Sequence, residues 1–251
     1  MPSELTGLEV FQLSSLQLTS IPGIKLPKDR RLGHLVEKVV SGGIKASPHF
    51  EMIAENIQLI EEKQTIGELD FLIRDKVTGE VIHLELAYKF YLYDPTISEL
   101  EIENWIGPNR NDSLIEKLNK LKEKQFPLLF HPIINDRFPE LNMESIEQNI
   151  CLISNLYIPL RQNLNLSEVY LHFIKGFYYY FDEIKSILPA ECQYYIPQKT
   201  EWGMDPSQNE KWITTTEFMN QLEIIITKGR SPLCWQKSGN EYAEFFVVSW
   251  Q

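Results

Sequence analysis

Three successive segments in the first half of the chain alternate apolar and polar residues, and this pattern constrains the fold more than any other feature. They cover Ile53 to Glu61, Thr65 to Arg74 and Val81 to Leu92, and the turn-forming residues 75–79 separate the last two. Successive side chains of a β-strand point to opposite faces, so a period of two is typical of strands. The pattern predicts a three-stranded antiparallel meander.

A helix is predicted immediately before the meander, from Asp29 to about Val40. Asp29 is suited to the N-cap, and an apolar stripe follows at helical spacing. The stripe is formed by Leu32, Leu35, Val36 and Val39. Gly42-Gly43 is predicted to end this helix, because glycine favours helix C-termini.

A second helix is predicted after the meander, beyond the chain break at Gly107-Pro108-Asn109. Ser113 and Glu116 have the spacing of a capping box, and the helix is expected to continue through Lys124. The apolar run from Phe126 to Phe130 then predicts a buried strand.

The second half of the chain is richer in aromatic residues. Val169 to Phe181 suits a strand, with a helix as the open alternative. Thr214 and Glu217 form another possible capping box, for a helix to about Ile226. Glu244 to Trp250 predicts a final strand. The four tryptophans of this half are expected in the core rather than as platforms for stacked bases: Trp202, Trp212, Trp235 and Trp250.

Composition excludes several classes of protein. With 251 residues, of which 43% are hydrophobic, the chain can bury a large core, as one large domain or two small ones. Its three cysteines lie far apart, which argues against a disulfide framework. The sequence shows no membrane span and no signal peptide, so we expect a cytoplasmic protein. The net charge of −11 argues against a protein that coats duplex nucleic acid by charge alone.

Acidic side chains share faces of two neighbouring predicted strands. Glu68 and Asp70 point one way on the second strand of the meander. On the third strand His83, Glu85, Ala87 and Lys89 share a face. Clustered carboxylates repel one another unless a cation lies between them, and such oxygen ligands suit Mg²⁺ or Mn²⁺. A lysine beside that metal can orient a water molecule, which is the equipment of metal-assisted phosphodiester hydrolysis.

These residues resemble the core of the PD-(D/E)XK nuclease superfamily. That core consists of a helix, an antiparallel meander, a helix and a further strand, and the predicted order here is the same. More closely, the chain resembles the uncharacterised bacterial family "domain of unknown function 1853". The resembling segments are Thr65–Leu72, His83–Leu92, Gly107-Pro108-Asn109 and Phe245–Trp250.

The resemblance implies an α/β fold, with a restriction-endonuclease-like core in residues 1–135 and an aromatic α+β region, residues 136–251, packed on it. It also implies site residues. Asp70 and Glu85 match the two metal-binding acids, and Glu37 matches an acid on the preceding helix. The implied activity is cleavage of nucleic acid, DNA in the first place, with Mg²⁺ or Mn²⁺ as cofactor. Glu68 is a candidate for a supporting role or a second metal.

One departure from the superfamily pattern concerns the lysine. The superfamily usually has lysine two residues after the second acid, where this chain has Ala87. Lys89 lies two residues further on the same face, about 6.6 Å along the strand, and we interpret it as the displaced water-positioning lysine.

The acids and Lys89 are also consistent with a solvated face of weak ion pairs. The chain could be a nuclease-like module that binds nucleic acid or a protein partner without cutting, or a hydrolase of another phosphate. Four lysines of the second predicted helix form either a wet face or a phosphate-contacting surface: Lys117, Lys120, Lys122 and Lys124. Lys117 and Gln125 are the substrate-binding candidates there, and His83 is left outside the predicted site.

Overall fold

The structure is a computed structural model and describes residues 3–20, 23–24, 31–161 and 164–250. Its strands in chain order are β1 (Glu9–Val10), β2 (Phe50–Glu61), β3 (Gln64–Asp75), β4 (Val81–Tyr93), β5 (Trp105–Ile106), β6 (Glu147–Pro159), β7 (Ile174–Tyr180), β8 (Gln193–Tyr195), β9 (Leu233–Ser238) and β10 (Glu241–Val248). Its α-helices are α1 (Ser3–Thr6), α2 (Leu32–Ala46), α3 (Leu114–Lys120), α4 (Pro132–Arg137), α5 (Glu168–Leu171), α6 (Phe181–Ile184) and α7 (Thr215–Ile226). This is a mixed α/β architecture.

The chain divides into two compact units, each made of two separate stretches. The first unit combines Met1–Tyr88 with Glu116–Ile153, and the second combines Lys89–Ile115 with Ser154–Gln251. The sequence predicted two contiguous regions with a boundary near residue 135. The division differs because β4 and β6 are long strands that each contribute residues to both units.

The first unit contains the predicted meander. β2 pairs antiparallel with β3, and β3 pairs antiparallel with β4. β4 is followed in the sheet order by β6, whose start also pairs in parallel with β1. The three predicted strands are confirmed, each extended by one to three residues, and the predicted turn at residues 75–79 joins β3 to β4.

Apolar side chains cover both faces of this meander. On α2, Val40 and Ile44 pack in one buried cluster with Phe71 of β3. The next residue of β3, Leu72, belongs to a second buried cluster with Leu129. Because strand neighbours point to opposite faces, two clusters on consecutive residues indicate a sheet that is buried on both sides.

The helix before the meander differs from its prediction at the C-terminus. α2 continues through Gly42-Gly43 to Ala46. Gly43 is buried, and a Cβ atom there would lie 3.3 Å from Leu16 Cδ1. The glycine therefore permits close packing inside the helix instead of ending it. The predicted N-cap, Asp29, lies outside the described residues.

The segment after the second predicted helix is also different from its prediction. α3 begins at Leu114, directly after Ser113, and continues as a π-helical turn, Leu121–Gln125. Phe126–Phe130 is a 3₁₀-helix and not the predicted strand. Pro127 near its start removes a backbone donor and suits the first helical turn. Further 3₁₀ turns are Leu13–Leu16, Glu101–Asn104, Met143–Ser145, Lys199–Glu201 and Pro206–Gln208.

The second unit contains the remaining strand pairs and a buried core cluster of its own. β7 pairs in parallel with both β6 and β10, while β9 pairs antiparallel with β10 and β8. The ambiguous segment from Val169 to Phe181 contains both the end of α5 and the strand β7. The capping box of Thr214 and Glu217 is confirmed at the start of α7. Trp202 and Trp235 are buried, and Trp212 and Trp250 are partly buried.

The three cysteines are free and buried. Across the described ranges, none of the helices has the length and apolar character that crossing a bilayer requires.

Candidate metal centre

Asp70 and Glu85 lie where the pairing of two strands stops. The ladder between β3 and β4 ends at the pair of Phe71 and Leu84, and the next residue on each strand is one of these acids. The Asp70 backbone N–H donates to Glu85 Oε1 at 3.4 Å, and the Leu86 backbone N–H donates to Asp70 Oδ2 at 2.7 Å. The carboxylates thus satisfy backbone donors that the ladder leaves unpaired, and this exchange brings the two acids together.

The pairing of Asp70 is also irregular on its other side. Glu55 faces Phe71 and Ile57 faces Leu69, so Asn56 is the residue of β2 opposite Asp70. Asn56 has a φ of 52°, in the left-handed region that asparagine tolerates better than most residues. Such backbone conformations concentrate at functional sites. Asp70 is therefore flanked by an unusual backbone conformation on β2 and by the end of the strand pairing on β4.

Burial makes the ionised forms of both acids unfavourable. Glu85 is fully buried, and burial raises its pKa to about 7. Burial and the neighbouring Glu85 charge raise the pKa of Asp70 to about 7. Within the described residues, neither acid forms a salt bridge with lysine or arginine. Burial therefore favours the neutral form of each acid, and the solvated-face interpretation does not fit the fully buried Glu85.

His83 contacts Glu85 directly, although its sequence context does not assign it to the site. Its ring is fully buried, and Nε2 lies 3.0 Å from Glu85 Oε1. On the other side Nδ1 lies 3.1 Å from Gln148 Nε2. Burial lowers the pKa of His83 to about 4, so the imidazole is neutral at pH 7. His83 is a hydrogen-bonding neighbour of Glu85 and not a counter-charge.

Gln125 connects the second acid to a lysine. Its Nε2 donates to Glu85 Oε2, and its Oε1 accepts a hydrogen bond of 2.9 Å from Lys117 Nζ. The Lys117 charge lowers the pKa of both Asp70 and Glu85. Of the four lysines predicted as a basic surface, Lys117 is partly buried and the other three are exposed. The two substrate-binding candidates therefore lie beside the acids.

The two remaining acidic candidates act on the pair through charge. Glu37 on α2 raises the pKa of both Asp70 and Glu85, and its own carboxylate lies 3.5 Å from His34 Nδ1. Glu68 raises the pKa of Glu85 and accepts a hydrogen bond of 3.1 Å from Gln58 Nε2. Both lie within electrostatic range of the pair.

Lys89 is paired with a different residue. It belongs to the second unit, and its Nζ lies 2.6 Å from Asp112 Oδ2. Asp112 follows the predicted chain break at residues 107–109, and Gly107 packs tightly against it. The ammonium is therefore engaged in an ion pair within its own unit, and its water-positioning role stays a prediction. Ala87, at the usual lysine position, is buried.

The comparisons with known proteins give a family. A family model with the description "Domain of unknown function (DUF1853)" matches residues 10–248. The chain belongs to the DUF1853 family. No curated protein and no solved structure matches it. The DUF1853 match covers every candidate site residue, and it assigns no activity to any of them.

The acid pair of this DUF1853 chain offers two candidate ligands for a divalent cation. Among the described residues, no group of three or more histidine, cysteine, aspartate or glutamate side chains is arranged to hold a metal ion. Two adjacent carboxylates nevertheless suit Mg²⁺ or Mn²⁺, which are often bound by one or two carboxylates together with water and substrate phosphate. Asp70 and Glu85 are two such adjacent carboxylates, and the pKa of each is raised to about 7.

Proposed function

We propose that this chain is a Mg²⁺- or Mn²⁺-dependent phosphodiesterase that cleaves nucleic acid, with DNA as the first substrate to test. Asp70 and Glu85 would hold the metal. The observation that carries the proposal is a pair of adjacent carboxyl groups, with Glu85 fully buried and Asp70 partly buried, whose pKa values are raised to about 7. Strongly perturbed titratable groups that lie together are typical of functional sites.

The order of elements supports the same proposal. A helix, an antiparallel meander and a second helix follow one another in α2, β2 to β4 and α3. This is the order of the PD-(D/E)XK core that the sequence resembles, and we propose that the first unit is a restriction-endonuclease-like core. The two acids then occupy the positions that bind metal in that superfamily.

The residues around the pair would have distinct roles. A bound divalent ion would supply Lewis-acid activation of water and of a phosphate oxygen. Lys117 would stabilise negative charge on the phosphate, since its charge already acts on both acids. Glu37 would contribute through a water molecule, and Glu68 through charge. Lys89 is retained as the second candidate for positioning the attacking water.

The experiment combines metal binding with cleavage. We expect Mn²⁺ to raise the thermal stability of the wild type, because an ion that binds the folded state stabilises it by mass action. Asp70→Asn and Glu85→Gln should lose this increase together with cleavage of labelled duplex, single-stranded and branched DNA and of RNA. Glu80→Gln is the control, because Glu80 is an exposed carboxylate beside the same hairpin turn. An unchanged Mn²⁺ effect in Asp70→Asn would refute the metal assignment.

A second candidate function is a module that binds nucleic acid or a protein partner without cutting. It is favoured by one observation, the buried alanine at position 87 together with the engagement of Lys89 by Asp112. Binding of Mn²⁺ and tight binding of DNA, without cleavage of any tested substrate, would support this module. If the chain binds metal but no nucleic acid, hydrolysis of another phosphate becomes the better hypothesis.

A further inference from the structure

A chain of hydrogen bonds leads from Glu85 through His83 to Gln148. His83 Nε2 faces Glu85 Oε1 at 3.0 Å, and Nδ1 faces Gln148 Nε2 at 3.1 Å. The same Gln148 nitrogen lies 2.7 Å from the Phe126 carbonyl oxygen. The edge of the His83 ring also contacts the Phe126 ring, with centroids 5.6 Å apart. The imidazole is therefore held on both nitrogens and at its edge.

This geometry determines which nitrogen of His83 carries the hydrogen. A backbone carbonyl can only accept, so the amide nitrogen of Gln148 must face Phe126. That amide nitrogen has a second hydrogen, which it donates to His83 Nδ1. Nδ1 must then be the acceptor, and the ring hydrogen lies on Nε2. His83 consequently donates to Glu85.

The opposite side of Glu85 is determined by the same reasoning. Lys117 can only donate, so the Gln125 oxygen faces Lys117 and the Gln125 nitrogen faces Glu85. Glu85 thus accepts on both oxygens from neutral side chains. Neutral donors fix the orientation of a carboxylate without cancelling its charge, whereas a direct salt bridge would compete with a cation for it.

We infer that His83 and Gln148 are positioning residues, which hold the Glu85 carboxylate in its metal-facing orientation through the Nε2-protonated form of His83. The inference rests on the proposed metal centre and adds two residues to it. Hydrogen bonds to ligating carboxylates tune a metal site, and loss of such an outer partner typically costs about 10–100-fold in metal affinity or activity. Gln148 determines which ring nitrogen of His83 carries the hydrogen, and His83 donates that hydrogen to Glu85.

Substitutions can separate this role from a purely structural one. His83→Leu removes the Nε2–H donor and fills the buried position with an apolar side chain of similar size. His83→Gln keeps an amide N–H that can face Glu85. Gln148→Leu removes the group that fixes the histidine, and Gln148 lines a cleft of about 450 Å³, where a substitution has room.

The test compares Mn²⁺ affinity, measured by calorimetry, with the free energy of unfolding in EDTA. We expect Mn²⁺ affinity to fall about 10–100-fold in His83→Leu and to recover largely in His83→Gln. The free energy of unfolding in EDTA should not show the same fall in His83→Leu and recovery in His83→Gln. A purely structural role of His83 would require that it does. Imidazole ¹⁵N NMR at neutral pH should show His83 protonated on Nε2, assigned by the signal that disappears in His83→Gln.

The outcomes distinguish this inference from the proposed function. If the wild type binds no Mn²⁺, the metal proposal itself fails. If Asp70→Asn abolishes Mn²⁺ binding but His83→Leu binds as tightly as the wild type, the metal centre stands and the positioning role is refuted. A hydrogen on Nδ1 of His83, or an unchanged His83 spectrum in Gln148→Leu, would refute the role of Gln148.

Discussion

Asp70 and Glu85 are held together at the expense of folding stability. The pKa values of these acids are raised from 3.8 and 4.5 to about 7. Between these pH values the folded protein therefore keeps protons that the unfolded chain has released. Functional sites often carry such a cost in folding stability. This relation gives a prediction that needs no substrate.

The first prediction concerns the pH dependence of stability. The ordinary pKa of aspartate is 3.8 and that of Asp70 is raised to about 7, so the wild-type free energy of unfolding should fall as pH rises between these values. Asp70→Asn removes one such group. We expect it to be more stable than the wild type at pH 8 in EDTA, by on the order of 1–2 kcal/mol, because each unit of pKa shift corresponds to about 1.4 kcal/mol.

Urea unfolding in EDTA between pH 4 and pH 8 measures this difference. The advantage of Asp70→Asn should shrink toward pH 4, where folded Asp70 is protonated and the unfolded chain begins to bind the proton as well. Glu80→Gln, at an exposed position, should follow the wild type. A wild type that is as stable as Asp70→Asn at pH 8 would contradict the raised pKa of the pair.

The second prediction concerns the two lysines. At saturating DNA and Mn²⁺, Lys117→Gln should reduce the single-turnover cleavage rate on the order of 10²-fold, since an electrostatic group at the reacting phosphate acts mainly on the transition state. Lys120→Gln, one turn along and exposed, should stay within about threefold of the wild type. Lys89→Ala in the same assay decides which lysine serves the reaction. Equal rates in Lys117→Gln and Lys120→Gln would remove Lys117 from the site.

Strand alternation predicted that Asp70 and Glu85 lie on faces of neighbouring strands, because a two-residue period places side chains on faces. The resemblance to the PD-(D/E)XK pattern then singled out these two acids. Alternation and resemblance could not identify His83 as part of the site, although it lies two residues before Glu85 on the same face. A lone histidine among apolar residues carries no signal of its partner. Gln148 had no signal at all, since it reaches His83 from a strand 65 positions away in sequence.

At the scale of elements, predictions from residues close in sequence were confirmed where such residues determine the element. The meander followed from alternation, and the start of α7 followed from the capping box. One error involves a partner distant in sequence, and the other involves a local proline, Pro127. α2 passes through two glycines, the second of which packs against Leu16, and Phe126–Phe130 is helical although its composition suits a strand.

The third prediction concerns the pairing of β7 with β10. A Cβ atom at Gly176 would lie 2.6 Å from the Glu244 backbone carbonyl oxygen, which cannot move without disturbing the parallel ladder. Gly176→Ala should therefore destabilise the protein by about 1–3 kcal/mol, the range for overpacked sites. Lys175→Ala, at the preceding exposed position, should stay within about 0.5 kcal/mol of the wild type. Equal unfolding midpoints for the two variants in urea would contradict this close approach.

At the scale of the whole molecule, the net negative charge opposes the binding of nucleic acid that we propose for this chain. The chain carries 24 basic and 35 acidic residues, so its net charge of −11 repels a polyanion at long range. A protein that neutralises many phosphates with lysine and arginine shows a steep loss of affinity with salt. This composition instead favours binding of nucleic acid that depends on a few local cations.

The last prediction follows from that balance. We expect DNA binding to require a divalent ion, with Ca²⁺ used in place of Mg²⁺ so that affinity is measured without cleavage. The slope of log affinity against log salt should have a magnitude of only about 1–3, compared with about 6–9 for a protein with 7–10 phosphate contacts. The triple variant Lys117→Gln, Lys120→Gln, Lys124→Gln should flatten this slope further, by about one unit for each lysine that binds a phosphate in the wild type. Fluorescence anisotropy of a labelled duplex in Ca²⁺ and in EDTA, over a series of salt concentrations, measures both the affinity and the slope.

Tight binding in EDTA with a steep slope would show that a basic surface, and not the acid pair and its cation, accounts for the affinity. Equal slopes in the wild type and the triple variant would assign the lysines of α3 and its π-helical turn to a solvated face.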